Sequence, residues 1–232
     1  MSLLTVEDAH AYYGESHVLE GVSMEVEAGE VVALVGRNGV GKTTTLRTIL
    51  QLTPPRRGSV RFRGTELVGK STHEVAEMGI GWIPEERRVF TQLSVEENIR
   101  VAVPKGEDVR EALSLAYETF PDLEDHRDRE AGNLSGGQQQ MLALVRGLVG
   151  ENELLLVDEP SEGLAPLIVE AVAEALAEAA TDTTLLLVEQ NLPLALDLAD
   201  RFYVLDNGRV VEQGDANEVS MDDERLRRYL SA

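Results

Sequence analysis

Cysteine is absent from the 232 residues, which excludes disulfides and thiolate metal sites. Lysine is almost absent too, occurring only as Lys42, Lys70 and Lys105. Positive charge as a whole is scarce: 21 Lys and Arg stand against 42 Asp and Glu, a formal net charge of −21. A surface of that sign repels nucleic acid and anionic lipid, so neither is expected as a partner. No apolar run approaches the length of a membrane span, and the N-terminus lacks a signal peptide. The chain is therefore expected in the cytoplasm, with any membrane role supplied by other subunits. An acid-rich, lysine-poor composition also resembles that of proteins from cytoplasms holding molar salt, where screening over about 3 Å removes most self-repulsion. What remains is enough chain for one substantial α/β core with a smaller satellite.

Against that background one segment carries chemistry. Gly36-Arg37-Asn38-Gly39-Val40-Gly41-Lys42-Thr43 fits the phosphate-cradling pattern G-x-x-x-x-G-K-[ST]. It follows the apolar run Val31 to Val35 and opens a helical stretch, Thr44 to Leu50, with Thr44 counted among the nucleotide contacts. The glycines let backbone N–H groups approach phosphate oxygens, and the helix N-terminus adds its positive end. Lys42 would reach the β- and γ-phosphates, and the Thr43 hydroxyl would ligate Mg²⁺. The chain is expected to bind a nucleoside triphosphate.

Two further motifs follow in order. Leu134-Ser135-Gly136-Gly137-Gln138 precedes the helical segment Gln139 to Val149, and Leu154-Leu155-Leu156-Val157-Asp158-Glu159-Pro160 reads as a buried strand ending in two carboxylates. Asp158 would hold Mg²⁺, directly or through water, and Glu159 would polarise an attacking water beside the γ-phosphate. Separately, Ser135 could be a helix cap and the two acids a solvated turn. The conjunction of three phosphate-related elements outweighs these readings.

With these motifs the chain resembles the ATP-binding cassette (ABC) ATPases, from about Leu3 to Val219. The resemblance implies an α/β fold: a P-loop (RecA-like) core, an N-terminal antiparallel β-subdomain and a helical subdomain carrying the signature. It implies one domain over 1–232, with 1–95 and 150–232 forming the β-subdomain and nucleotide-binding core and 96–149 the helical part. Ser135, Gly136, Gly137 and Gln138 match the signature, which in the family faces ATP held by a second subunit, so two chains pair head to tail. Tyr13 matches the adenine-stacking aromatic, and Ser161-Glu162-Gly163-Leu164 the D-loop that crosses to the partner. ATP and Mg²⁺ are the implied cofactors.

The remaining pattern suits this frame. Strands are expected over residues 3 to 30 with a turn at Gly14-Glu15-Ser16, then Ser59 to Phe62, Ile80 to Ile83 and Thr184 to Val188. Asp206-Asn207-Gly208 reads as a hairpin turn. Residues 96 to 149 read as helical, with apolar positions at Ile99, Val101 and Val103 and at Ala112, Leu113, Leu115 and Ala116. Pro166 suits the first turn of a helix through Ala180. No repeat, low-complexity tract or linker interrupts the chain, and no C-terminal regulatory domain is expected.

Two departures from the general family pattern narrow the reading. Glu85 stands where most members carry the Q-loop glutamine, and Gln190 where most carry the switch histidine. Glutamate remains a good Mg²⁺ ligand, and the Gln190 amide can still orient the γ-phosphate or the water. The pair, with Ser161 to Leu164, is similar to the shorter ATPase subunit of branched-chain amino acid uptake transporters. The expected function is ATP hydrolysis by Glu159, Gln190 and Lys42 within an importer. Its membrane subunits, a second ATPase (identical or sibling) and, indirectly, a substrate-binding protein would be partners. The chain would lie on the inner face of the membrane through the permeases. A urea or amide importer, a lipid or polysaccharide exporter and a soluble ATP-driven clamp are the alternatives; a small-molecule kinase would leave the signature without a role.

Overall fold

A computed structural model describes residues 2–219 and residue 223; the remainder of the 150–232 range lies outside the described residues. In chain order the strands and α-helices are β1 (Ser2–Tyr13), β2 (Ser16–Glu27), β3 (Val31–Val35), α1 (Lys42–Ile49), β4 (Arg57–Phe62), β5 (Thr65–Glu66), α2 (Thr72–Glu77), β6 (Ile80–Ile83), α3 (Val95–Ala102), α4 (Val109–Thr119), α5 (Pro121–Asp125), α6 (Gly136–Leu148), β7 (Leu154–Asp158), α7 (Pro166–Ala179), β8 (Thr184–Glu189), α8 (Leu192–Leu198), β9 (Arg201–Asp206) and β10 (Arg209–Asp215).

The strands form two sheets among the described residues. One is antiparallel, in the order β2-β1-β4-β5; the other runs β10-β9-β3-β8-β7-β6. In the second sheet β9, β3, β8, β7 and β6 are parallel, with β10 antiparallel at the edge. Parallel strands covered on both faces need apolar side chains at nearly every position. Val31–Val35, Leu154–Asp158 and Thr184–Glu189 are accordingly buried throughout.

Because strand side chains alternate faces, each of these runs serves two cores. Val31, Ala33, Val35, Leu155, Val157, Leu185 and Leu187 join the core shared with the helices. Val32, Leu34, Leu154, Leu156, Leu186 and Val188 join the second core, which also holds Leu4, Val6, Phe62, Leu46 and Ile49 from the antiparallel sheet and α1. The phosphate loop leaves the end of β3 at the boundary between the two layers.

The stretch expected to be helical from 96 to 149 is divided. Pro104 stops α3 at Ala102 by holding Val103 in the extended backbone (φ −69°, ψ 127°) that a residue before proline adopts. Pro121 opens α5 at its first turn. Of the apolar positions taken as a stripe, Ile99, Ala112 and Ala116 are buried, while Val101 is 58% exposed and Leu115 39%. Helix α6 starts at Gly136, not Gln139, because Ser135 caps it and Gln138 returns the bond to the Ser135 N–H. Asn207 and Gly208 both take positive φ (45° and 72°), which fits the tight turn read from Asn-Gly.

Candidate nucleotide site

The loop between β3 and α1 is built on glycines that nothing else could replace. A Cβ on Gly36 would sit 2.4 Å from the Leu205 carbonyl oxygen. Gly41 caps α1 at φ 114° with Leu19 Cδ2 2.8 Å from where its Cβ would lie. The β9–β10 turn holds the loop from outside: the Gly208 N–H donates to the Val40 carbonyl at 2.9 Å.

Inside the loop Lys42 is only 3% exposed. Its Nζ donates to the carbonyls of Gly36 (2.8 Å) and Arg37 (3.0 Å) and forms an ion pair with Glu159 at 3.0 Å. Arg37, Asn38 and Gly39 are exposed on the loop crest, whereas Thr44 is buried behind it. A cleft of 120 Å³ is lined by Val18, Gly39, Gly41, Lys42, Thr43, Thr44 and Glu159.

Strand β7 delivers the two acids beside this cleft. The Thr43 hydroxyl donates to Asp158 Oδ1 at 3.2 Å, while Asp158 Oδ2 is buried with no hydrogen-bond partner among the described residues. Burial pushes the Asp158 carboxyl up to about 6, with the Glu159 charge adding to the rise and Thr43, Lys42 and Arg47 opposing it. A hydroxyl and a carboxylate with a free, desolvated oxygen form a hard-oxygen donor set, the kind Mg²⁺ takes. The residues present therefore fit the ion that the sequence pattern implies. Glu159 follows at φ 44°, a left-handed backbone that a glutamate reaches only against a conformational cost.

The other expected positions lie around this centre. Glu85 is exposed as a residue, yet its carboxyl is pushed up to about 7. Desolvation leads, followed by a hydrogen bond and charge from Glu162, then the charges of Glu159 and Asp158. Gln190 is exposed at the end of β8, and no hydrogen bond holds its side chain among the described residues. Tyr13, 44% exposed, ends β1; Thr53 Oγ1 donates to its hydroxyl at 3.4 Å. Its neighbour Tyr12 is already committed, stacked on His17 at 4.2 Å with the Arg56 guanidinium 4.4 Å above its ring.

Ser135, Gly136, Gly137 and Gln138 line no part of the 120 Å³ cleft. They begin α6 instead, packed against other segments: a Cβ on Gly137 would meet Ile168 at 3.3 Å, and one on Gly136 would meet Arg87 at 2.5 Å. Sequence reasoning passed over Val18, which lines the cleft, and Glu189, which is 2% exposed. The Glu189 carboxylate accepts from the Ser161 N–H (3.0 Å) and the Asn191 N–H (2.9 Å). Burial raises its pKa, with the Glu159 charge adding to the rise; a hydrogen bond from the Ser161 side chain and then the two backbone bonds oppose it.

A phosphate loop at the C-terminal end of a central parallel strand, with a carboxylate pair at the end of the strand two places along the sheet, defines a P-loop nucleoside triphosphatase. The ABC transporter family model matches residues 19–162. The high-affinity branched-chain amino acid transport ATP-binding protein BraG of Pseudomonas aeruginosa is 42% identical over 212 residues, covering 90% of this chain and 91% of that one. The probable branched-chain amino acid transport ATP-binding protein LivF of Archaeoglobus fulgidus is 37% identical, covering 94% of each. The ADP conformation of MJ1267, an ATP-binding cassette of an ABC transporter, superposes with a TM-score of 0.83 at 27% identity, covering all of both chains. The chain belongs to the ABC transporter family, as an ATP-binding subunit that hydrolyses ATP.

Proposed function

We propose that this chain is the ATPase subunit of an importer for branched-chain amino acids, closing with a second ATPase around MgATP and reopening on hydrolysis. The observation that carries the mechanism is a division within one chain. Lys42, Thr43 and Glu159 share a cleft with Asp158 at its edge, while Ser135 to Gln138 stand outside it at the start of α6. Two incomplete sites of that kind are completed by pairing chains head to tail. The choice of solute rests on the likeness to the BraG and LivF proteins along nine-tenths of the chain.

In this reading the loop amides from Gly36 to Thr44 and the Lys42 ammonium bind phosphate, and Tyr13 offers its ring to adenine. Thr43 and Asp158 would hold Mg²⁺, with Glu85 as a further oxygen ligand; the ion would offset charge on the phosphates. Glu159 takes the proton of the attacking water, and Gln190 orients the water or the γ-phosphate. Since the γ-phosphate touches both chains, its binding energy appears as closure. No helix among the described residues is long and apolar enough to cross a membrane, so partner permeases would hold the chain to the inner face of the membrane, with a substrate-binding protein beyond. The 42 acidic residues against 21 basic ones further support adaptation to high salt.

Co-expression with branched-chain amino acid permeases from the same genome tests the proposal. The chain should fractionate with membranes, and uptake of leucine, isoleucine or valine should require ATP and vanish with Lys42→Ala. Uptake of urea or short amides instead would overturn the solute, and a chain that stays soluble with those permeases present would overturn the transport role.

A further inference from the structure

Glu189 has no part in the roles assigned above, yet it is the most deeply placed carboxylate around the site after Asp158, at 2% against 1% exposed. It ends β8, the strand between β3, which feeds the phosphate loop, and β7, which ends in Asp158. Its two oxygens are divided between two segments. One accepts from the Ser161 N–H at 3.0 Å, 28 residues away in sequence, at the start of the Ser161-Glu162-Gly163-Leu164 segment. The other accepts from the Asn191 N–H at 2.9 Å, two residues on, closing a tight turn around Gln190. Asn191 is fixed from its far side, because its Oδ1 accepts from the Leu194 N–H in capping α8.

Gln190 is thus an exposed side chain on a pinned backbone. One pin is α8; the other is a carboxylate whose remaining bond is to the segment 161–164. A carboxylate that has left water is costly unless its oxygens are satisfied, so both bonds must persist together or the group must move. The segment 161–164 and the Gln190 turn cannot shift independently while Glu189 holds both.

We propose that Glu189 is a positioning residue that makes the placement of Gln190 depend on the placement of Ser161. A displacement of segment 161–164 imposed by a second chain is passed through one carboxylate to the residue facing the γ-phosphate. Turnover then requires the partner in place, even in a chain that has already bound MgATP. This rests on the assignment of Gln190 and of segment 161–164 given above, and the tests separate the brace from those assignments.

Amide hydrogen exchange of the full chain tests the brace alone. With Glu189→Ala, exchange at Ser161 and at Asn191 should quicken together by about ten- to a hundredfold, the equivalent of losing a charge-assisted hydrogen bond at each. Glu189→Gln, which keeps the shape but only one acceptor, should quicken both by a smaller factor, and serves if the alanine variant does not fold. Loosening confined to one segment, or to neither, would overturn the brace. Steady-state ATPase in the assembled transporter tests the coupling. Glu189→Gln should lower kcat about tenfold with KM for ATP within about twofold, and should change kcat less than twofold when Gln190 is already alanine. Full multiplication of the two effects would show that Glu189 does not act through Gln190. An unchanged kcat for Gln190→Ala alone would refute the Gln190 role and the coupling with it, while the exchange result would still decide whether Glu189 joins the two segments.

Discussion

Replacing Glu159 by glutamine should separate binding from chemistry, and the structure sets the size and direction of each part. The amide cannot accept the water proton, and a positioned base contributes about 10² to 10⁴ in rate, roughly 3 to 5 kcal/mol at 1.36 kcal/mol per tenfold. Binding should move the other way. Glu159 holds Lys42 at 3.0 Å with side chains 9% and 2% exposed, so phosphate must compete for the ammonium. A hydrogen bond to a charged group contributes about 1.5–3 kcal/mol, and a neutral amide roughly half of that. Glu159→Gln should therefore tighten MgATP binding by about three- to tenfold while turnover falls a hundredfold or more. Lys42 keeps the Gly36 and Arg37 carbonyls, so the loop stays formed. Equilibrium binding of a fluorescent ATP analogue with single-turnover hydrolysis, in the presence of the partner subunits, reads both quantities. Near-normal turnover would refute the base, and a tenfold loss of affinity would refute the competition between Glu159 and phosphate.

The other outcomes follow from charge. Asp158, up at about 6 when folded against an ordinary 3.8, binds protons that the unfolded chain has released. Without nucleotide, stability should fall as pH rises from about 4 to 6, by up to about 3 kcal/mol, and level off above; denaturant melts of the chain and of Asp158→Asn check this. The same proton competes with Mg²⁺, so Mg²⁺-dependent ATP affinity should weaken up to tenfold per unit below pH 6 and hold steady above it. None of His10, His17, His73 and His126 lies in a catalytic motif, so their replacement should leave the pH–turnover profile unchanged. An inflection near 7 would belong to Glu85, whose carboxyl is pushed up to about 7, and should vanish in Glu85→Gln. Finally, the −21 formal charge should make the thermal midpoint climb from about 0.1 M to beyond 1 M KCl, where the Debye length is about 3 Å; a flat or falling midpoint would remove the high-salt reading.

The elements most legible in the sequence were those whose cause is local. Strands β3, β6, β7 and β8 are short apolar runs because a parallel sheet covered on both faces leaves little place for polar side chains. The β9–β10 turn shows as Asn207-Gly208 because both residues need positive φ. The helical subdomain was legible only as a stretch, since breaks at Pro104 and Pro121 divide it and Val101, apolar but 58% exposed, does not follow the buried face. The start of α6 was misplaced because Gly136 and Gly137 are weak helix formers, and the Ser135–Gln138 capping box overrides them. The phosphate loop could be read because its glycines and lysine are contiguous. Glu189 could not, because its partner Ser161 lies 28 residues away and meets it only across the ends of β7 and β8.

If a second chain completes each site as proposed, the mass of the Glu159→Gln protein must report it. In sedimentation equilibrium with saturating MgATP, alone or mixed with the second ATPase of its transporter, this 25.4 kDa chain should run as a pair and return to single chains when Mg²⁺ is chelated. Adding Ser135→Arg should abolish the pair while each chain still binds MgATP. A mass that stays at one chain with nucleotide bound, or a pair indifferent to both MgATP and Ser135→Arg, would rule out a second chain completing the site.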